Sequence, residues 1–224
     1  MNLFAANLSW ATLAACRLLM GTTICLAIVW VVKSGDWARL ASGSTIYIWN
    51  VTIALVVGLW SLKATLAGGF TFHMLAMTGI TLALGAPLAL LSSALATLVF
   101  VTIHSGTLAN IGATWVTMAL VPIVTTQFVL WASERWLPAH LFVYIFAGAF
   151  AGAALSRFMA LLASLWLWSL NEERAMGQVF SEYLPYGILL ALGEAFLTGM
   201  IVTIAVVYKP HWISTFDDKR YLTS

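Results

Sequence analysis

Charge is what this sequence lacks most. Its 224 residues include 10 Lys and Arg and 8 Asp and Glu, so only 8% are charged, while 62% are apolar. An ordinary soluble domain has about 25% charged and roughly 45–50% apolar residues. A water-soluble fold of this length could not hide so much apolar surface. The shortage excludes a soluble enzyme, a disordered tail and a nucleic-acid binder, and a formal net charge of +2 is too small to attract a polyanionic partner. Cysteine is scarce too. Cys16 and Cys25 share one apolar stretch, and nine residues at about 100° each put them on opposite helix faces, which excludes a mutual disulfide or a CxxC metal clip. GxxxxGK[ST], a GxGxxG after a strand, HExxH and GxSxG are all missing, so ATP spent on this protein's behalf must be hydrolysed by another subunit. Internal repeats and low-complexity tracts are absent. The N-terminus has neither a basic n-region nor a small-residue cleavage pattern, so its first apolar run is expected to stay as a span.

What is present is apolar sequence in membrane-length blocks. A transmembrane helix needs about 20 mostly apolar residues. The expected fold is all-α: a polytopic integral membrane helix bundle in one domain, 1–224, with about seven helices near 10–32, 46–66, 73–84, 87–103, 112–131, 141–168 and 184–208. The stretch from His73 to His104 decides that number. As one helix it would run about 48 Å, too long for an upright span, yet it is too short for two full spans and a turn. Gly85-Ala86-Pro87 near its middle breaks a helix, so 73–103 reads as a hairpin of two short helices. Short helices are tolerated at membrane depth when neighbours bury them.

Lys and Arg give the orientation. With the N-terminus outside, Lys33, Arg39, Arg135, Lys209, Lys219 and Arg220 lie at cytoplasmic ends, against Lys63 and Arg174 outside. The C-terminus is then cytoplasmic. Glu172, Glu173 and Glu182 fall in an external loop. Trp10, Trp30, Trp37, Trp49, Trp131, Trp136, Trp168 and Trp212 cluster near span ends, as an aromatic belt requires.

The few polar residues left inside are the candidates for function. His73 and His104 fall at the two ends of the broken hairpin, on the outer side, and imidazole is the commonest transition-metal ligand. Met77 follows His73 at i, i+4 on the same helix face. Glu194 is the one acidic residue inside a span, and Arg157 in the preceding span lies at similar depth. A buried charge of this kind should face protein and have a partner. An Arg157–Glu194 ion pair is therefore expected, with Arg17 of the first span close enough to join.

Four local patterns agree with one family. His73-Met74-Leu75-Ala76-Met77-Thr78-Gly79 followed by Leu84-Gly85-Ala86-Pro87 resembles the His-Leu-x-Gly-Ala…Leu-Gly-Pro stretch of the CbiM/NikM family. His104-Ser105-Gly106-Thr107-Leu108-Ala109-Asn110-Ile111-Gly112-Ala113-Thr114, then Met118-Ala119 and Pro122, is similar to that family's His-Gly-Gly-x-Thr-x-Leu-Gly-Ala-Asn…Met-Ala…Pro. Gly148 to Ser156 resembles its small-residue helix, and Gly193-Glu194-Ala195-Phe196-Leu197-Thr198-Gly199 its terminal Glu-x-x-Leu/Ile-Thr-Gly span.

The resemblance implies a membrane substrate-capture subunit for cobalt or nickel, in the inner membrane of a bacterium. Lipid surrounds it, and it works with a transmembrane coupling subunit and ATPases. It also implies a metal held mainly by nitrogens, with a histidine matching His73 among the ligands. The family's N-terminal histidine at position 2 is Asn2 here, and its Gly-Ala-Asn is Gly112-Ala113-Thr114. The ligand set that remains is His73 and His104, with Met1 or Met77 adding soft character, for cobalt, nickel or copper. The alternative is a non-transporting accessory or scaffold subunit of a larger membrane complex that delivers metal, such as copper. No span carries a nucleophile and base, so no enzymatic activity is expected.

Overall fold

Helix boundaries follow the residues able to satisfy free backbone groups. The computed structural model describes residues 8–41, 43–62, 64–65, 71–104, 108–170 and 176–221. Helix α1 (Trp10–Ser34) starts where the Ser9 side chain accepts from the Thr12 amide at 3.2 Å, and ends at Gly35, whose φ of 77° only glycine adopts without strain. Short α2 (Asp36–Ala41) leads into α3 (Gly43–Ser61). A two-residue antiparallel ribbon, Ala64–Thr65 on Thr71–Phe72, precedes α4 (Met77–Leu84) and α5 (Ala86–Ile103). Two long helices follow, α6 (Leu108–Trp136) and α7 (Leu141–Ser169), then α8 (Met176–Tyr208) and a terminal turn of helix, α9 (Asp218–Tyr221).

The all-α membrane bundle is as expected. Among the described residues five helices are long and apolar enough to cross a membrane: Trp10–Ser34, Ala86–Ile103, Leu108–Trp136, Leu141–Ser169 and Tyr183–Tyr208, with a shorter apolar helix at Thr45–Ser61. The hairpin at Gly85-Ala86-Pro87 is present, and Pro87 occupies the first turn of α5, where its missing N–H costs nothing. Its first arm is shorter than expected. Helix α4 begins at Met77 rather than His73, and its 8 residues span about 12 Å, under half the hydrocarbon core. Helix α8 begins at Met176, eight residues before the expected start, and runs through Pro185, so Glu182 lies in a helix and not in a loop. Wider π turns interrupt α6 at Val116–Leu120 and α7 at Tyr144–Ala151. The first ends two residues before Pro122, which has no N–H for a regular helical bond.

The bundle is apolar on its outside as well as in its core. Leu26, Phe146, Phe196 and Ile201 are exposed on its outside, where they meet lipid, while Thr78, Thr97, Thr126, Ser156 and Thr198 are buried. The buried hydroxyls tie helices together: Thr78 Oγ1 lies 2.9 Å from Thr126 Oγ1 and 2.6 Å from Ser156 Oγ, joining α4, α6 and α7. Such interhelical bonds are worth about 0.6 kcal/mol each on average. Trp60 and Trp115 are core residues and not belt residues. Both are fully buried, and the Trp115 Nε1 donates to Ser93 Oγ at 3.1 Å. The small residues of α7 pack within the bundle, where Gly148 lies against Leu130 and Gly152 against Val129 and Thr78.

After α8 the chain turns back under α4. The Ser214 amide donates to Ala83 O at 3.0 Å and the Thr215 amide to Leu82 O at 3.2 Å. Tyr144 OH meets Thr215 Oγ1 at 2.7 Å, and Ile213 and Tyr221 are buried there. The final carbonyls of α4 are thus satisfied by the C-terminal segment.

The backbones of α1 and α6 approach closely at Gly112, where an added Cβ would lie 2.7 Å from Arg17 N. Gly112→Ala should therefore cost about 1–3 kcal/mol through overpacking against a main chain that cannot swing aside. Gly21, with nothing within 4 Å of an added Cβ, is the control: Gly21→Ala should be neutral or stabilising. Thermal unfolding of the two variants in detergent checks both.

Candidate functional site

Residues 73–76 connect the ribbon to α4 with neither helix nor strand pairing, yet His73 is 3% and Leu75 2% exposed. Buried backbone of this kind must find its hydrogen bonds outside regular structure. Two side chains supply them. Glu194 of α8, 2% exposed, accepts from the Leu75 amide through Oε2 at 2.9 Å and from the Ala76 amide through Oε1. Trp60 of α3 donates from Nε1 to Leu75 O at 3.3 Å. Ala76 has a φ of 59°, the one positive value on a non-glycine among the described residues. That turn lets two successive amides face one carboxylate, and a carboxylate at a helix N-terminus also complements the helix dipole.

His73 is set by the same scaffold. Its ring lies 5.8 Å from the Trp60 indole, and its Nδ1 is 3.3 Å from Met74 O. A carbonyl can only accept, so Nδ1 carries the proton and Nε2 keeps its lone pair. That Nε2 is buried and has no hydrogen-bond partner. A neutral ring with a fixed tautomer and a free Nε2 is the form that ligates transition metals.

The other predicted ligands are placed differently. His104 caps the end of α5, with Nδ1 3.1 Å from Phe100 O and its ring 4.5 Å from that of Phe100. Phe100 lies 5.7 Å from Trp60, so the two histidines belong to one aromatic chain, linked through Trp60 and Phe100 rather than by contact with each other. Met77 is fully buried in the core with Leu75, Trp115 and Met118. Met1 lies outside the described residues. Among the described residues no group of three or more His, Cys, Asp or Glu could hold a metal ion together.

The charged pair also differs in detail. Arg157 and Glu194 are near enough to interact electrostatically. Both carboxylate oxygens, however, are turned to the Leu75 and Ala76 amides, in place of the close ion pair expected from helix depth. Arg157, 1% exposed, leaves Nε and Nη2 without hydrogen-bond partners. Trp49 Nε1 and Thr114 Oγ1 are likewise buried and unpartnered. Arg17 does not join the pair. It reaches Ala109 O from Nη2 at 2.8 Å and Nε at 3.2 Å, holding the start of α6 beside the close approach at Gly112. Depth along each helix could not show that a broken segment would offer amides to the carboxylate.

Trp60 and the Thr78–Thr126–Ser156 hydroxyls were not singled out from the sequence. Scattered Ser and Thr in apolar helices carry no cue at all.

Residues 7–212 match the family described as the cobalt uptake substrate-specific transmembrane region, CbiM. The chain is similar to two crystal structures, each at 17% identity. The first, a truncated transition metal transporter, has a TM-score of 0.80 and aligns over 93% of this chain and 99% of its own. The second, a transition metal transporter, has a TM-score of 0.78 and aligns over 94% and 96%. At that identity the likeness establishes the fold. No curated protein matches the sequence.

Removing the Glu194 carboxylate should unfasten residues 73–76. Glu194→Ala strands two buried amides and the Arg157 charge, and should cost on the order of 3–5 kcal/mol. Glu194→Gln keeps one acceptor and should cost about 1–3 kcal/mol. Chemical unfolding in detergent orders the two. A Glu194→Gln protein of wild-type stability would show that the carboxylate does not hold this segment.

Proposed function

The chain belongs to the CbiM family of cobalt uptake substrate-specific transmembrane regions, a multi-pass membrane component of metal transport, and from that premise we propose that it captures a transition-metal ion at His73. The observation that carries the reading is the buried His73 Nε2, left with a lone pair and no partner by the Nδ1 contact to Met74 O. Cobalt, nickel and copper all suit an imidazole ligand. His104, at the far end of the Trp60–Phe100 ring chain, stands on the route to this site and not beside its ligand atom. Met77 contributes packing next to His73, and Met1 would add a soft donor if the N-terminal residues reach the site.

The capture site faces outward in this reading. Residues 73–76 lie at the opposite end of α4 from Ser214 and Thr215, and Lys209, Lys219 and Arg220 lie in the C-terminal segment beside that other end. In this reading the Lys and Arg there mark the cytoplasmic side, and the membrane is a bacterial inner membrane. Without a nucleotide-binding motif, the chain depends on a transmembrane coupling subunit and separate ATPases, as in energy-coupling factor transporters.

Titrating purified protein with cobalt, nickel, copper and zinc tests the reading. One of the first three should bind stoichiometrically. His73→Ala should weaken that binding by more than the roughly 10–100-fold that loss of an outer hydrogen-bond partner costs a metal site. Absence of stoichiometric binding by the wild-type protein would overturn it.

A further inference from the structure

Helix α4 has one open flank. Of its eight residues, Met77, Thr78, Ile80, Thr81, Leu82 and Leu84 are buried, and Gly79 and Ala83 are not. Those two are i, i+4 neighbours on one helix face, and half-buried Ala76 extends the face toward its start. All three line the floor of a groove of about 380 Å³ between α3 and α8. Val51 and Leu55 of α3 form one wall and Leu197 and Ile201 of α8 the other. Apart from Thr52 and Thr198, every lining residue is apolar. Leu55 and Ile201 are 48% and 53% exposed, so the groove opens sideways to the lipid around the bundle.

Its size decides between occupants. From Leu197 to Ala205 the groove follows α8 for about 12 Å. That is under half of the roughly 30 Å hydrocarbon core, the depth of one leaflet. A helix with its side chains is about 10–12 Å across, and 12 Å of one would need on the order of 1,000 Å³. The groove holds less than half of that. An extended hydrocarbon chain is thinner and brings no polar group that needs a partner.

The mouth of the groove is cationic. Its end at Ala205, Trp212 and Ile213 lies where α8 gives way to the short turn Pro210–Trp212. The Lys209 amide donates to Ala205 O at 2.7 Å and the Trp212 amide to Lys209 O at 2.9 Å, so Lys209 sits between two residues that line the groove. Lys209 and His211 are exposed, and neither is paired with a carboxylate among the described residues. Asp217, further along the segment, has its Oδ1 on the Lys219 amide at 3.0 Å. Trp212 joins the apolar lining to this polar end, as an indole does at a membrane surface.

The geometry points to a binding site for an anionic phospholipid, with one acyl chain in the groove on α4 and the phosphate held at its mouth by Lys209, the His211 ring and the Trp212 indole. Basic pockets between membrane helices hold lipid headgroups in this way. The lipid comes from the leaflet on the side of the C-terminal segment, and its chain completes the burial of α4.

The test is native mass spectrometry of the purified protein in detergent, with phosphatidylglycerol or phosphatidylcholine of matched acyl chains. One phosphatidylglycerol per chain should be retained, at least about fivefold more tightly than phosphatidylcholine, the factor that one Lys near an anionic headgroup supplies. Lys209→Gln should remove that preference and leave phosphatidylcholine binding unchanged. Ile201→Trp, and Leu55→Trp from the opposite wall, fill the groove and should abolish retention of both lipids, while Leu26→Trp on the outer face of α1 should not. Lys209 is exposed, so its substitution reads the site even where a filling variant fails to fold. Equal retention of the two lipids, or retention untouched by both filling substitutions, would overturn the site and leave only a general lipid coat. Photo-crosslinking in the membrane from benzoylphenylalanine in place of Ile201 gives a second readout. An adduct of phospholipid mass is expected, and a discrete protein adduct, whether a second copy or a coupling subunit, would overturn the lipid as occupant. Neither measurement depends on His73 or on a bound metal.

Discussion

The Glu194 carboxylate is the interaction on which this site depends. It binds the amides of Leu75 and Ala76, two main-chain donors buried where neither helix nor water can serve them. In a membrane interior an unsatisfied amide costs several kcal/mol, which is why exposed irregular backbone does not occur there. Irregular backbone is possible in this bundle because α8 carries an acceptor to the right depth and α3 carries a donor, Trp60, for the Leu75 carbonyl. The four-residue interruption then holds His73 against Trp60 with its Nε2 unspent.

Helix α4 is stabilised from outside at both ends. Glu194 serves its N-terminal side, and the amides of Ser214 and Thr215 serve the carbonyls of Ala83 and Leu82. Its sides are fixed by the Thr78, Thr126 and Ser156 hydroxyls. An isolated eight-residue helix is not stable in water, since nucleation is too costly for so few hydrogen bonds. Here it is held because neighbouring elements bond to the chain at both its ends. Arg157 enters the same layer beside Ser156, interacts with Glu194 through space, and keeps two donors free.

Much of the fold was legible in the residues. Apolar block length located the spans because a bilayer demands about 20 apolar residues per crossing. Gly85-Ala86-Pro87 located the hairpin because a proline cannot donate within a helix. Glu194, Arg157 and His73 stood out because polar residues are costly in lipid and few survive there. The start of α4 was not legible: nothing in His73-Met74-Leu75-Ala76 forbids helix, and the groups that hold this segment, Trp60 on the Leu75 carbonyl and Glu194 on the Leu75 and Ala76 amides, come from distant parts of the chain. Arg17 misled for a related reason. Its span pointed to the charged layer, but the close approach at Gly112 brings the Ala109 carbonyl within its reach first.

The sequence by itself determined that this protein resides in a membrane, since that follows from composition and the thickness of the hydrocarbon core. It also determined which residues could carry chemistry, by having so few of them. Only the tertiary structure decided how they are used. Hydrogen bonds form between groups that packing brings together, whatever their separation in the chain. Glu194 meets amides 118 and 119 residues away, and that long-range match, not the intrinsic nature of either partner, leaves a histidine nitrogen and an arginine edge free in the core.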